Sequence, residues 1–303
     1  RIMAKLNVMG TRKTWLTLSG ILVLGCLILL LTRGLNFGLD FTGGTLLERD
    51  FKKPVTAAQI RSVLKGPELK ELDLGKSVIQ PVGDGSEALI RTKALSDQEI
   101  RKVDEALAKK FDKVEERRTE MVEPVIGREL LAQAGWALLI AWLLIMVYIG
   151  FRFEFRFGIA AVAALIHDVV IALGIFALIG REVNMPFVAA ILTIVGYSIN
   201  HTIVVFDRIR ENLQKRRREG LVELVNDSIV QTLPRTINTS VTTLFAIVAI
   251  LLFGGATLKD FSLALFIGII VGTYSSIYIA SPLWLGLKSM EEKKRTRGKA
   301  AKA

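Results

Sequence analysis

The chain is poor in the residues that carry most enzymatic and metal chemistry. Among 303 residues there are one cysteine and two histidines. A lone Cys26 excludes a disulfide within the chain, and a Cys/His zinc site is out of reach for the same reason. No Ser/His/Asp set, no paired histidines and no phosphate-binding loop stand in the soluble-looking part of the sequence, so a hydrolase is not expected, nor a cofactor or metal. Charge is also missing from long stretches: Thr14–Thr32 contains none. What is present is apolar, with 51% hydrophobic residues and a mean hydropathy of +0.44, gathered into blocks with the charge between them. That pattern excludes a single soluble globule and a disordered chain and points to a polytopic membrane protein.

The first block is long enough, at ~1.5 Å per helical residue, to cross a hydrocarbon core of ~30 Å. It is longer than the apolar core of a signal peptide and is followed by Arg33-Gly34-Leu35, so an uncleaved span is expected. Further spans are expected near Ala132–Gly150, Phe157–Ile179, Phe187–Phe206, Ile237–Phe253 and Phe261–Leu287. Six spans put both termini on one side, and Lys and Arg choose it. Segments 1–13, 151–156, 207–235 and 288–303 hold twenty basic residues, whereas 180–186 and 254–260 hold only Arg181 and Lys259. The positive-inside rule then assigns both termini to the cytoplasm. Residues 33–131 carry 18 basic and 18 acidic residues and are neutral. The net charge of +11 is therefore a topology signal, concentrated at Lys215-Arg216-Arg217-Arg218 and Lys293–Lys302. It argues for anionic membrane lipid or a ribosome or motor partner at the tail, and against nucleic acid.

The expected organisation is a cytoplasmic N-terminus (1–13), span one (14–32), an extracytoplasmic domain with connectors (33–131), spans two to six (132–287) and a basic cytoplasmic tail (288–303). In the extracytoplasmic segment Thr45–Phe51 reads as a strand. Thr56-Ala57-Ala58-Gln59 and Ser96-Asp97-Gln98-Glu99 have capping-box spacing, each followed by an apolar helical stripe. Ser77–Val82 and Glu87–Thr92 flank a Gly83-Asp84-Gly85 turn, and Val114–Val122 reads as a last strand. The order β-α-β-β-α-β is ferredoxin-like, a pattern that by itself specifies no function.

Polar groups inside spans are expensive and are functional candidates by default. In the fourth span Thr193, Gly196, Tyr197, Asn200 and His201 form one helical stripe. In the fifth, Arg235, Asn238, Thr239 and Thr242 form another. The third carries His167 and Asp168 on a stripe with Ala160, Ala164 and Ala172. These stripes predict that His201 and Asp168 need helices from a partner to shield them. The alternative reading of the stripes is hydrogen-bonded packing, and Arg235 alternatively snorkels to the cytoplasm. Gly268, Gly272, Ser276 and Ala280 make a small-xxx-small ladder suited to helix packing. Asp207, Arg208, Arg210 and Glu211 read as a solvated charge cluster at the cytoplasmic end. Gly38, Gly43 and Gly44 permit tight turns around Asp40, which suits a rigid joint after span one.

Several motifs together carry a resemblance: LNFGLDFTGGT at 35–45, VGYSINHTIVVFDRIREN at 195–212, QTLPRT at 231–236, VEPVIG at 122–127 and Phe253-Gly254-Gly255. The sequence resembles the SecF family, the smaller half of the bacterial SecD–SecF protein-export accessory complex, along nearly its whole length. The resemblance implies half of a resistance-nodulation-division-type transporter in the bacterial inner membrane. It implies pairing with a SecD-type subunit beside the SecYEG channel, with YajC and YidC as further partners. The proton-motive force would then help translocating polypeptides across, or into, the membrane. In that family the fourth-span motif reads Asn-Asp, the acid being the proposed proton carrier and an Arg of the fifth helix its proposed partner. By position these are Asn200-His201 and Arg235. His201 is thus a departure: it cycles between neutral and cationic forms rather than neutral and anionic ones. Asp168 could supply the missing negative charge. Two rival readings are a small-molecule efflux module of the same superfamily, which would ordinarily have twelve spans and two large loops, and a purely structural subunit stabilising SecD and the channel.

Overall fold

The computed structural model describes residues 7–82, 85–122, 124–215 and 220–300. Gly83 and Asp84 of the expected turn, Glu123, Arg216-Arg217-Arg218 of the basic run and the side chains of the Lys293–Lys302 tail lie outside the described residues. The chain divides into two compact units: Phe37–Gly135, and the segments 7–36 and 136–300 taken together.

The first unit is an α+β domain with strands β1 (Gly44–Asp50), β2 (Val78–Val82), β3 (Glu87–Thr92) and β4 (Glu115–Val122), and helices α2 (Ala57–Leu64) and α3 (Asp97–Phe111). The sheet runs β2-β3-β1-β4, with every pair antiparallel, which is the ferredoxin-like arrangement. Both helices start where the sequence offers a reciprocal cap. Thr56 N–H donates to Gln59 Oε1 at 2.8 Å and Gln59 N–H donates back to Thr56 Oγ1 at 3.3 Å. At Ser96 and Glu99 the corresponding distances are 2.7 and 3.4 Å. Each box satisfies two backbone N–H groups that a helix start otherwise leaves bare. Ile60 and Leu64 of α2 and Ile100, Val103 and Leu107 of α3 then bury against Leu47, Ile79, Ala88 and Ile90 of the sheet. Alternation along β1 turns Thr45, Leu47 and Arg49 to this core, and all three are fully buried.

The glycine-rich stretch 38–45 has a steric reason for its composition. Leu39–Thr42 make one helical turn, ended by Gly43 at φ 71°. Gly44 follows at φ 131°, where a Cβ would lie 2.3 Å from the carbonyl oxygen of Thr92. Only glycine allows both that dihedral and that approach. A Cβ on Gly127, from the VEPVIG motif, would lie 2.5 Å from the carbonyl oxygen of Phe41. The two motifs therefore meet backbone to backbone.

The second unit is a bundle of long helices: α1 (Arg12–Arg33), the later part of α4 (Pro124–Arg152), α5 (Phe155–Ile179), α6 (Met185–Lys215), α7 (Leu221–Phe253), α8 (Ala256–Ser275) and α9 (Ser281–Ala300), with a five-residue π-helical turn, Ser276–Ala280, between the last two. Among the described residues six helical stretches are long and apolar enough to cross a membrane, with α8, the π turn and α9 forming one of them. Helix α5 is the centre, buried along most of its length. The most apolar stretch of α4 buries none of its side chains, and Trp136, Leu143, Leu144 and Val147 stand open. At one end Phe157, Phe206 and Trp284 cluster, Phe157 stacking on Trp284 at 4.5 Å. The same end carries ion pairs from Glu154 to Lys288 at 3.2 Å and from Arg156 to Glu291 at 2.6 Å. Pro234 lies inside α7, which runs on through it.

Candidate functional site

The middle of the bundle holds a layer of polar groups drawn from α5, α6, α7 and α8. At its heart is Asp168, 1% exposed. Ser198 Oγ of α6 donates to Asp168 Oδ2 at 2.6 Å, and Ser275 Oγ of α8 donates to the same oxygen at 2.8 Å. His167 Nδ1 lies 3.0 Å from Asp168 Oδ1. One carboxylate thus ties three helices together, and each of its oxygens has a partner, as a buried charge requires. The His167 ring stacks on Tyr274 at 6.2 Å, and Tyr274 Oη meets Ser19 Oγ of α1 at 2.7 Å. The layer continues into α7 through a Ser240–Thr273 contact of 2.7 Å.

Close packing of α8 on α6 makes these bonds reachable. A Cβ on Gly268 would lie 2.2 Å from Ile194 Cδ1, and one on Gly272 would lie 2.9 Å from Ser198 Cβ. Small residues let the two backbones approach until Ser275 and Ser198 share one acceptor. Directly after Ser275 the chain adopts the π turn, with Ser281 Oγ donating back to the Ser276 carbonyl at 3.2 Å. Single π turns of this kind occur often at functional sites.

His201 follows Ser198 by one helical turn on α6 and is 3% exposed. Its ring meets Tyr197 edge-on at 4.8 Å, and its Nε2 has no hydrogen-bond partner. Helices α6 and α7 run antiparallel, joined by Tyr197 Oη to Thr243 at 3.2 Å and Asn212 Nδ2 to Ser228 at 2.8 Å. That register sets His201 level with Thr239, about one turn from Thr236 and Arg235. Thr236 Oγ1 is likewise buried without a partner. Arg235 itself is exposed and lines a cleft of about 200 Å³ with Asp207, Arg208, Glu211, Gln231 and Thr232. Within that cleft Arg208 pairs with Glu211 at 2.9 Å, whereas Arg210 donates instead to the Arg152 carbonyl at the end of α4, at 3.3 Å. Among the described residues no three His, Cys, Asp or Glu side chains gather to form a metal site.

The structure separates residues that the sequence pattern grouped. The stripes predict that His201 and Asp168 need shielding from outside, but the chain's own helices bury both, with Gly268 and Gly272 bringing α8 against Ile194 and Ser198 of α6. The outward-facing members of the stripes are instead Thr193, Gly196 and Asn200 on α6 and Arg235, Asn238, Thr239 and Thr242 on α7. Asp168 does not pair with Arg235 or His201: no hydrogen bond or ion pair joins them among the described residues. Ser198 and Ser275, its actual partners, lay off the patterned stripes. The available signal for them was a hydroxyl residue at helical spacing from His201 in one case and one beside the small-residue ladder in the other.

A six-helix membrane bundle with one ferredoxin-like domain between its first two spans, and a buried polar layer at mid-height, defines a class of multi-pass membrane proteins. Residues 102–290 match the family described as "Protein export membrane protein SecD/SecF, C-terminal", and residues 28–55 match the "SecD/SecF GG Motif". The chain belongs to the SecD/SecF family. It is 46% identical over 285 residues to the protein translocase subunit SecF of Desulfurispirillum indicum, covering 91% of this chain and 89% of that one. It is 42% identical over 288 residues to the SecF of Pseudomonas aeruginosa, covering 94% and 92%. Among solved structures it is similar to SecDF from Thermus thermophilus, a translocon-associated membrane protein, with a TM-score of 0.85 and 41% identity over 94% of this chain. SecDF in a super-membrane-facing form matches with a TM-score of 0.70 and 39% identity over 98% of this chain. The chain spans 39% and 40% of those two SecDF chains.

Proposed function

We propose that this chain is an accessory subunit of the Sec translocon that works with a SecD-type subunit to move polypeptides across, and into, the bacterial inner membrane. The observation that carries the reading is the outward polar surface on α6 and α7. Asn200, Arg235, Asn238, Thr239 and Thr242 lie exposed along helices apolar enough to span a bilayer. The Thr239 and Thr242 hydroxyls bond carbonyls of their own helix, but the Asn200 and Asn238 amides and the Arg235 guanidinium favour a covering partner on a spanning helix, and the SecDF relative is a chain more than twice this length. A second bundle seated on this face would enclose Asn200 and Arg235 between the halves, with the buried His201 just inside them, where protons drawn by the membrane gradient would change the charge of the layer. Both termini then lie in the cytoplasm and residues 33–131 outside it, beside SecYEG, with YajC, YidC and anionic lipid as further contacts. The role needs no hydrolytic centre.

The test is polypeptide translocation in membrane vesicles from cells lacking their own SecD and SecF. Adding this chain together with a SecD-type subunit should raise gradient-dependent translocation, and either subunit alone should not. Cysteines placed at Asn238 or Thr242 should cross-link to the partner. Drug accumulation that changes while translocation does not would replace this reading with an efflux module.

A further inference from the structure

We propose that His167 and Asp168 form a self-contained proton-binding pair within this chain, with His167 Nε2 as the point of proton uptake and Asp168 as the group neutralised. The inference rests on the proton-coupled reading above for its purpose, but not for its chemistry.

Asp168 is the one carboxylate in the mid-bundle layer among the described residues, since Asp207 and Glu211 line the cleft at one end of α6 and Asp260 lies at the start of α8. The groups facing it are Ser198 and, a turn further, His201 from α6, Ser275 and Tyr274 from α8, and Ser19 from α1 through Tyr274. None of these is a fixed positive charge, and Arg235 on α7 is not bonded to it. The two oxygens have different duties. Oδ2 accepts both serine hydroxyls, whereas Oδ1 faces only His167 Nδ1. The far nitrogen of that imidazole, Nε2, is buried and has no partner, although a buried ring nitrogen ordinarily finds one.

That arrangement supports a balanced transfer through the ring. With Asp168 ionised, neutral His167 carries its proton on Nδ1 and donates it to Oδ1, leaving Nε2 as a bare acceptor. A proton arriving on Nε2 makes the ring cationic. The Nδ1 proton then passes to Oδ1, so the ring returns to neutrality as the other tautomer and the carboxylate becomes a carboxylic acid. One proton is gained and one negative charge is lost, with no covalent bond broken other than N–H and no oxidant or reductant needed. Both serine bonds sit on Oδ2 in either state, so the clamp between α5, α6 and α8 survives while the charge of the layer changes. His201, one helical turn beyond Ser198 on α6, would vary between neutral and positive, and this pair between negative and neutral.

The test is pH-difference infrared spectroscopy on the chain in its complex with a SecD-type subunit in lipid. Wild type should show a titrating carboxylic-acid C=O band that Asp168→Asn removes and His201→Ala retains. Since the acid's C=O is Oδ2, Ser275→Ala should raise the frequency of that band by deleting one donor. His167→Gln, which can still donate to Oδ1 but cannot pass a proton through its side chain, should slow the rise of the band after a pH jump by about tenfold or more, and a rise as fast as wild type's overturns the relay. A titrating band that survives Asp168→Asn, or keeps its frequency in Ser275→Ala, overturns the proposal, and so does the absence of any such band in wild type. Loss of translocation with the band intact would count against the export reading and leave the proton pair standing.

Discussion

Gly272 of α8 lies so close to Ser198 of α6 that a Cβ on the glycine would stand 2.9 Å from the serine Cβ. That approach is what lets Ser198 and Ser275, on different helices, hydrogen-bond the same oxygen of Asp168. The polar layer is therefore a product of helix packing, and its integrity depends on residues with no polar chemistry of their own.

Gly272→Leu should separate α6 from α8 and loosen the serine clamp. Overpacking a tight contact costs about 1–3 kcal/mol, and here a hydrogen bond to a buried carboxylate is added to the loss. The expected result is a lower thermal transition for the purified complex, read by tryptophan fluorescence. Gly20→Leu, at an exposed position on α1 with nothing within 4 Å of an added Cβ, should leave that transition unchanged.

In the ferredoxin-like unit Arg49 is buried and forms a two-pronged pair with Asp104, at 2.7 Å to Oδ1 and 2.9 Å to Oδ2. Its remaining Nη1 donates to the carbonyls of Glu48 and Arg118 and to Thr119 Oγ1. Asp104→Ala leaves the guanidinium buried with its charge uncompensated, whereas Asp104 itself is 31% exposed. The expected loss is about 2–4 kcal/mol, discounted from that of a fully buried pair. Urea denaturation of residues 37–122 produced alone checks it, with wild type giving one cooperative transition.

The same unit should lose stability at both extremes of pH. The Lys52 backbone N–H and the Arg117 guanidinium hold the Asp50 carboxyl below its ordinary value. The Ser96 backbone N–H and hydroxyl do the same for Glu99. A depressed acid contributes fully above its unfolded value of about 4 and loses that contribution as pH falls through the lower folded one. Glu68 raises Lys109, so its contribution is full below about 10.4 and fades as pH climbs through the higher folded value. Thermal transitions across pH should show a plateau between these limits, and Glu99→Gln should flatten part of the acid limb.

The fold was legible where its causes are local. The capping boxes at Thr56 and Ser96 involve residues three apart, and the spans announce themselves by uninterrupted apolar length. The strand order of the ferredoxin-like unit followed from the order of its elements. Asp168 could be read as a candidate because an acid in a span is conspicuous. Its bonds to Ser198 and Ser275 could not, since they depend on the relative register of three helices, which periodicity within one helix does not contain. For the same reason the stripe that joined His201 to Asn200 blurred two faces: one turns into the bundle and the other turns out.

The most direct measurement is gradient-driven translocation in vesicles carrying wild type, His201→Ala or His201→Asp with a SecD-type subunit, each across a range of pH. If the layer beside Arg235 couples protons to export, the Ala variant should assemble normally yet lose the gradient-dependent part of translocation. The Asp variant should restore or raise it by setting an acid near Arg235. An Ala variant that matches wild type at every pH would contradict the account, making His201 a packing residue and the chain a structural support for its partner.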